Sequence, residues 1–332
     1  MGPVAAILRS LANATRRDLG TFRSIQVNNF FLFVFLLIYG ALVSGVRPVS
    51  SYPFLLLLGL LLLFPLSSDP LARIPASRLG FWPLGARQRY ALRLVSLALS
   101  PVLWFALFLA MRTRPSLTLV FAGLASIGQA AVRAGPQSRS GARIFPAMFP
   151  PLFRNNLRQM LSILDTWVAI LLSVAGTAWR LVATHPDPAA FPIFAMLVAL
   201  ALSTYTQCLF ALDGSGGVTR YRLLPMRDWQ ILGAKDAACL ALLCVLVAPL
   251  SLPSGLAFGL TALAIGHYPS MRHRLPLHRR RFAGGRVVYG VAQIVAGAML
   301  GFAAYRQSWL YLLPAAALYG ISLYRCRNMR KL

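Results

Sequence analysis

Hydrolysis and phosphoryl transfer call for paired carboxylates, a Ser/His pair or a metal-binding cluster. The sequence supplies few of these. His185 and Asp187 form its one close His/Asp pair, within a His-Pro-Asp-Pro run that the prolines keep extended. No serine-nucleophile motif accompanies them. His267, His273 and His278 gather near Arg279, Arg280 and Arg281. No carboxylate or cysteine joins them, so the expected role is contact with anionic lipid rather than metal ligation. The cysteines Cys208, Cys239, Cys244 and Cys326 contain no Cys-x-x-Cys and no zinc spacing, and they read as small core residues. Gly214, Gly216 and Gly217 form a glycine cluster with no lysine placed to reach a phosphate. Gly-x4-Gly-Lys-Ser/Thr is absent throughout. The chain is expected to hold no metal or cofactor of its own and not to be an enzyme.

Polar residues inside apolar segments are the other candidates. Ser203, Thr204, Tyr205, Thr206 and Gln207 make a polar run in an apolar stretch, and Gln129 and Gln293 are similar. They could line a substrate pathway. They could equally bond helix to helix, where each contact is worth about 0.6–2 kcal/mol, and packing is the favoured reading. Asp165 opens another apolar stretch. An ionisable group there is a functional candidate, but its place near the inner boundary favours a cap or a pair with Arg158. A secondary transporter would use buried charges near mid-membrane. Few are expected in this chain, which argues for energy supplied from outside.

These residues sit in a body too apolar for water. The chain has 332 residues, 58% of them hydrophobic, with 33 Lys+Arg against 7 acidic residues, all aspartate. Soluble domains run near 45–50% apolar and about 25% charged, so this composition excludes a soluble enzyme, a disordered chain and a nucleic-acid-binding domain. Residues 1–28 alternate polar and apolar without a cleavage site after a short apolar core, so no signal peptide is expected.

A membrane helix takes about 20 apolar residues. Ten candidates follow: 29–46, 52–66, 91–111, 116–132, 164–182, 191–212, 237–253, 255–268, 287–305 and 308–324. The segments 52–66 and 255–268 are short: each either re-enters from one side or borrows flanking residues to cross. Only Pro253 and Ser254 separate the seventh from the eighth, which predicts a tight hairpin. With the N-terminus inside, 28 basic residues fall on inner segments and five on outer ones, which places both termini in the cytosol. The fold class expected is an all-α polytopic membrane protein with about ten spans, a bacterial inner membrane being its location.

An internal repeat organises the spans. At an offset of 142, Arg78 matches Arg220, Pro83 matches Pro225, Leu84 matches Met226, Gln88 matches Gln230 and Arg93 matches Lys235. Residues 1–28 and 144–163 each read as an interfacial amphipathic helix. In the second, Phe153, Leu157, Met160, Leu161 and Leu164 form the apolar stripe, with Arg154, Asn155, Arg158 and Gln159 opposite. The expected organisation is an interfacial segment at 1–28, a first transmembrane half at 29–135, a second unit of interfacial helix and six spans at 144–324, and a basic tail at 325–332.

The loop between the sixth and seventh spans carries a further pattern: Asp213-Gly214, then Arg222-Leu-Leu-Pro-Met-Arg227, then Ile231-Leu-Gly-Ala-Lys235. It resembles the permease subunits of ABC-2-type exporters. One residue separates Gly233 from Lys235, where the family usually has an adjacent pair, and Asp213 with glycines replaces the usual glutamate-rich start. The resemblance implies a coupling helix that receives a separate ATPase subunit, with ATP and Mg on that partner. By that resemblance Pro225, Met226, Arg227, Trp229 and Lys235 would face the ATPase, and so would Pro83, Leu84 and Arg87. The competing reading gives these loops only orienting arginines and interfacial aromatics. Membrane lipid is the other expected partner. A second copy of the chain could pair around the second unit, and no nucleic acid is expected.

Overall fold

The computed structural model describes residues 3–20, 26–43, 150–213, 221, 228–272, 277 and 281–326, with isolated positions between 85 and 123. The described chain is mostly helical. It divides into two units. One comprises Met1–Val27 and Phe31–Ala142, and the other comprises Asn28–Phe30 and Arg143–Leu332. In the first, α1 (Pro3–Gly20) is amphipathic, as its alternating sequence predicts; α2 (Asn29–Val43), which belongs to it from Phe31 on while Asn29 and Phe30 belong to the second, is apolar nearly all round. The segments 52–66, 91–111 and 116–132 lie almost wholly outside the described residues.

The second unit is a helical bundle. Its members are α3 (Pro151–Leu161), α4 (Leu164–Val182), α5 (Ala190–Thr206), α6 (Asp228–Val247), α7 (Leu252–Arg272), α8 (Val287–Arg306) and α9 (Leu312–Arg325). Pro151 starts α3 at a position where its missing N–H costs nothing. Between α3 and α4 the chain turns by 80°. The first turn of α4 holds that bend, because Thr166 Oγ1 donates to the Met160 carbonyl at 2.8 Å and Trp167 Nε1 to the Leu161 carbonyl at 3.1 Å. The last carbonyls of α3, which have no partner within their own helix, are satisfied in this way.

Helix α7 is the hub, packed against α5, α6, α8 and α9. Its sequence explains the role, since small residues let neighbouring backbones approach. A Cβ on Gly255 would meet Val247, and one on Gly259 would meet Leu243. The two pairings run in opposite directions along the chain, so α6 and α7 form the antiparallel hairpin expected. A Cβ on Gly266 would lie 2.8 Å from the Thr206 backbone carbon, and one on Gly297 would strike the Phe258 ring.

Several boundaries differ from the sequence expectation: the turn between the seventh and eighth segments falls at 248–251, so Pro253 and Ser254 lie inside α7, and α5 ends at Thr206 rather than 212. The seventh segment begins at Asp228 rather than 237, so Lys235 and Asp236 lie within the same helix as the apolar run. The eighth extends to Arg272, so His267 lies well inside α7 rather than at its end. Apolar content alone misplaced both ends, because these charged residues are buried against partners. Among the described residues, Trp229–Val247 and Val287–Arg306 are long and apolar enough to cross a membrane. The bent pair α3–α4 would add a third crossing if it is a single span. Ten crossings require, besides these, segments outside the described residues and helices that are shorter or less apolar.

Replacing Gly266 with Ala should separate α5 from α7 and cost about 1–3 kcal/mol, as overpacking does. Gly320, with nothing within 4 Å of a built Cβ, is the control. Thermal unfolding in detergent, followed with a thiol-reactive dye on the buried cysteines, should show a lower midpoint for Gly266→Ala than for Gly320→Ala. Equal midpoints would mean that the close approach does not govern the packing.

Candidate functional site

Three buried polar clusters stand where the second unit's helices meet. The first surrounds Lys235. After α5 the chain closes with a short 3-10 turn, Ala211–Asp213, while Lys235 lies on the second turn of α6. The Lys235 ammonium sits 2.8 Å from Asp213 Oδ2, with both side chains almost wholly buried. It also donates to Asn156 Oδ1 at 3.3 Å and stacks over the Phe210 ring, 5.0 Å from its centroid. Asp213 Oδ1 accepts from Gln159 Nε2 at 2.8 Å and from the Tyr221 hydroxyl at 3.0 Å. Burial, then the neighbouring Asp213 carboxylate, pushes the Tyr221 hydroxyl above its ordinary range, so it acts here only as a neutral donor.

Asn156 and Gln159 are three apart on α3 and share a face. The sequence placed Gln159 on the solvent side of that helix. It is buried instead, together with Asn156 and Met160, because α3 packs on α6 and the Lys235–Asp213 pair needs further hydrogen bonds.

The second cluster uses the next residue of α6. Asp236 Oδ2 lies 3.0 Å from His267 Nε2 on α7 and accepts from the Tyr319 hydroxyl of α9 at 2.9 Å. His267 Nδ1 is 3.0 Å from Ser322 Oγ, and Ser322 Oγ donates to the Ala264 carbonyl at 2.7 Å. Both Asp236 and His267 are fully buried. His267 lies inside α7, and Asp236 and Ser322 take the place of the lipid contact expected of it; His273 and His278 lie outside the described residues.

The third cluster is built of amides and hydroxyls. Gln293 Oε1 on α8 accepts from Asn29 Nδ2 at 2.6 Å and from Gln207 Nε2 at 2.8 Å, and its Nε2 donates to the Ala262 carbonyl at 2.7 Å. Ser203 Oγ accepts from Asn29 Nδ2, and Thr204 Oγ1 accepts from the Asn29 backbone, each at 2.8 Å. Gln207 Oε1 takes the Arg286 backbone N–H at 2.9 Å. Close by, Asp165 accepts from Asn28 Nδ2 and, at 2.7 Å, from the Ala283 backbone. Asp165 is buried and Arg158 is exposed, so the pairing expected between them is replaced by Asn28 and Ala283.

Of the candidate pathway residues, Ser203 and Thr204 accept from Asn29, Ser203 also donates to the Leu200 carbonyl of its own helix, and Gln207 donates to Gln293. The buried Tyr205 hydroxyl has no hydrogen-bond partner among the described residues. Of the expected ATPase contacts, Pro83, Leu84, Pro225, Met226 and Arg227 lie outside the described residues. Arg87 is exposed, and Trp229, at the first turn of α6, is 44% exposed. Lys235 is 1% exposed and engaged inside the bundle, which differs from the surface position implied for it. Asp165, Asp213, Lys235, Asp236 and His267 are all held within the bundle. Asn156, Gln159, Tyr221, Tyr319 and Ser322 gave no motif in the sequence, since each acquires its role only through a residue distant in the chain. No group of three or more potential metal ligands occurs among the described residues.

No protein family, curated protein or solved structure matches this chain.

Removing one partner of a buried ion pair strands the other charge, at about 3–5 kcal/mol. Asp213→Ala and Lys235→Met should each lower the unfolding midpoint strongly. The double variant should recover part of that loss, with a coupling energy of about 0.5–3 kcal/mol. Strictly additive midpoint losses would show that the two side chains do not interact.

Proposed function

We propose that this chain is the membrane permease subunit of an ATP-driven exporter of the ABC-2 type. Residues 214–227 would form the cytosolic loop on which a separate ATPase acts. One observation carries the reading. Asp213 and Lys235, the two charged ends of the motif that gave the family resemblance, are bonded to each other at 2.8 Å. The segment between them is thus closed at its base by an ion pair, and Gln159 and Asn156 tie that base to α3.

A loop anchored in this way can transmit force. A push from an ATPase on residues 214–227 reaches α5 through Asp213, α6 through Lys235 and α3 through the two amides. A flexible loop would absorb the same displacement. Trp229, half-exposed where the loop enters α6, is suited to be an apolar anchor in a partner's groove. Under this reading the apolar helices cross a bacterial inner membrane, the arginine-rich loops face the cytosol, and ATP and Mg belong to the partner.

The test is mild solubilisation of the tagged chain from its native membrane, followed by identification of what co-purifies. A Walker-motif ATPase should accompany the wild-type chain and be lost from the Arg227→Ala, Trp229→Ala double variant. Its retention by the variant would move the contact surface elsewhere. Its absence from the wild type, under conditions that preserve a known transporter complex, would sink the permease reading.

A further inference from the structure

The hydrogen bonds around His267 fix where its protons are. Ser322 has one hydroxyl proton. The Ala264 carbonyl can only accept, so at 2.7 Å that proton points to Ala264. The 3.0 Å contact between His267 Nδ1 and Ser322 Oγ must then have Nδ1 as the donor. On the other side of the ring, Nε2 lies 3.0 Å from Asp236 Oδ2. Were Nε2 and Asp236 both without a proton, a lone pair would face a carboxylate in a fully buried site. A proton must lie between them, on Nε2 or on Oδ2. Either way the pair holds one proton more than a neutral histidine beside an ionised aspartate, and its net charge is zero.

A second arrangement differs by that one proton. The Nδ1–H bond breaks, the proton leaves to solvent, and the electron pair stays on Nδ1. The Ser322 hydroxyl then turns from Ala264 to donate to Nδ1, and Nε2–H continues to bond Asp236. The Ser322–Ala264 link between α9 and α7 is given up, and the buried pair gains a net negative charge. Asp236 Oδ1 already lacks a hydrogen-bond partner among the described residues, so the site is poorly equipped to hold that charge.

We propose that Asp236 and His267 form a proton-binding site: loaded, it leaves the Ser322 hydroxyl free to bond Ala264 and so adds a second bond between α9 and α7, and unloading breaks that one bond while the His267–Asp236, Ser322–His267 and Tyr319–Asp236 contacts remain. The site stands on its own geometry, whether or not an ATPase partners the chain. Other groups face it. On α6 these are Lys235, turned toward Asp213, and Cys239. On α9 they are Tyr319, whose ring lies 5.7 Å from that of His267, and Cys326. Helices α5 and α8 also pack on α7, and none of their described titratable groups is hydrogen-bonded to the pair. The adjacency of Lys235 and Asp236 gives the proton site a direct mechanical route to the base of the 214–227 loop.

The experiment is nitrogen-15 NMR of the full chain, labelled at histidine and reconstituted in lipid discs. There are only 4 histidines, and a His267→Asn variant assigns the signal. His267 should carry a proton on Nδ1 at the acid end and lose it in a single step as pH rises, ending as the Nε2–H tautomer. Asp236→Asn should move that step down by about one pH unit or more, since a neighbouring negative charge favours the protonated ring. Tyr319→Phe should move it up, because losing a donor to the carboxylate makes the pair hold its proton more tightly. This second variant keeps the test decisive if Asp236→Asn fails to fold. An Nδ1 without a proton across the range where histidine ordinarily titrates, about pH 5–8, would overturn the proposal. So would a titration that neither variant shifts, the result expected of a purely structural tie.

Discussion

Two charges of opposite sign stand side by side on one apolar helix, and neither can stay in the bundle without a partner. Lys235 and Asp236 are consecutive on α6, so their side chains leave it about 100° apart. A single counter-ion cannot serve both. Lys235 draws in Asp213 and, through it, Gln159 and Tyr221. Asp236 draws in His267 and Tyr319. The first demand fixes the end of α5 and the packing of α3, and the second fixes α7 and α9. An isolated buried ion costs several kcal/mol, so exchanging these partners or slipping the helix by one residue would leave two such ions unpaired.

Satisfying both demands requires close helix approach, and α7 supplies it. Gly255 and Gly259 face α6, and Gly266 faces α5. At the level of Gly266 and His267 the helix changes from backbone contact to polar contact within one residue. Thr206 occupies the space beside Gly266, while the His267 ring reaches Asp236 and Ser322. Small residues and ionisable ones are thus parts of one arrangement. The first bring the backbones near enough for short side chains to bridge them.

The outer surface follows the reverse pattern from a soluble protein. Val288, Val291, Val295, Met299 and Phe302 form an exposed apolar stripe at helical spacing along α8, while Gln293 points inward. On α4, Trp167, Leu171 and Val174 are exposed, while Asp165, Thr166 and Ser173 are buried. Apolar outside and hydrogen-bonded inside is the arrangement that hydrocarbon requires, because lipid offers polar groups no partners. Most of the described interior polar groups bond one another, the third cluster most fully, as suits a chain with helices apolar enough to cross a membrane.

The sequence by itself determined the apolar segments, their arginine asymmetry, the amphipathic character of α3 and the hairpin of α6 with α7. Each depends on residues within a turn or two, or on a composition that water will not tolerate. It also exposed the Asp213-to-Lys235 motif, but as two ends of a loop rather than a bonded pair. Periodicity went wrong where burial reversed it. It puts Gln159 on a solvent face, Lys235 on a cytosolic surface and Asp165 beside Arg158, because apolar patterning counts every charge as exposed. Only the tertiary structure decided which charges meet. His267 and Asp236 lie 31 residues apart, and Asn28 and Asp165 lie 137 apart. No local period relates positions so distant. Their pairing follows from the packing of whole helices, which is selected by the cost of leaving any buried ion or amide without a partner.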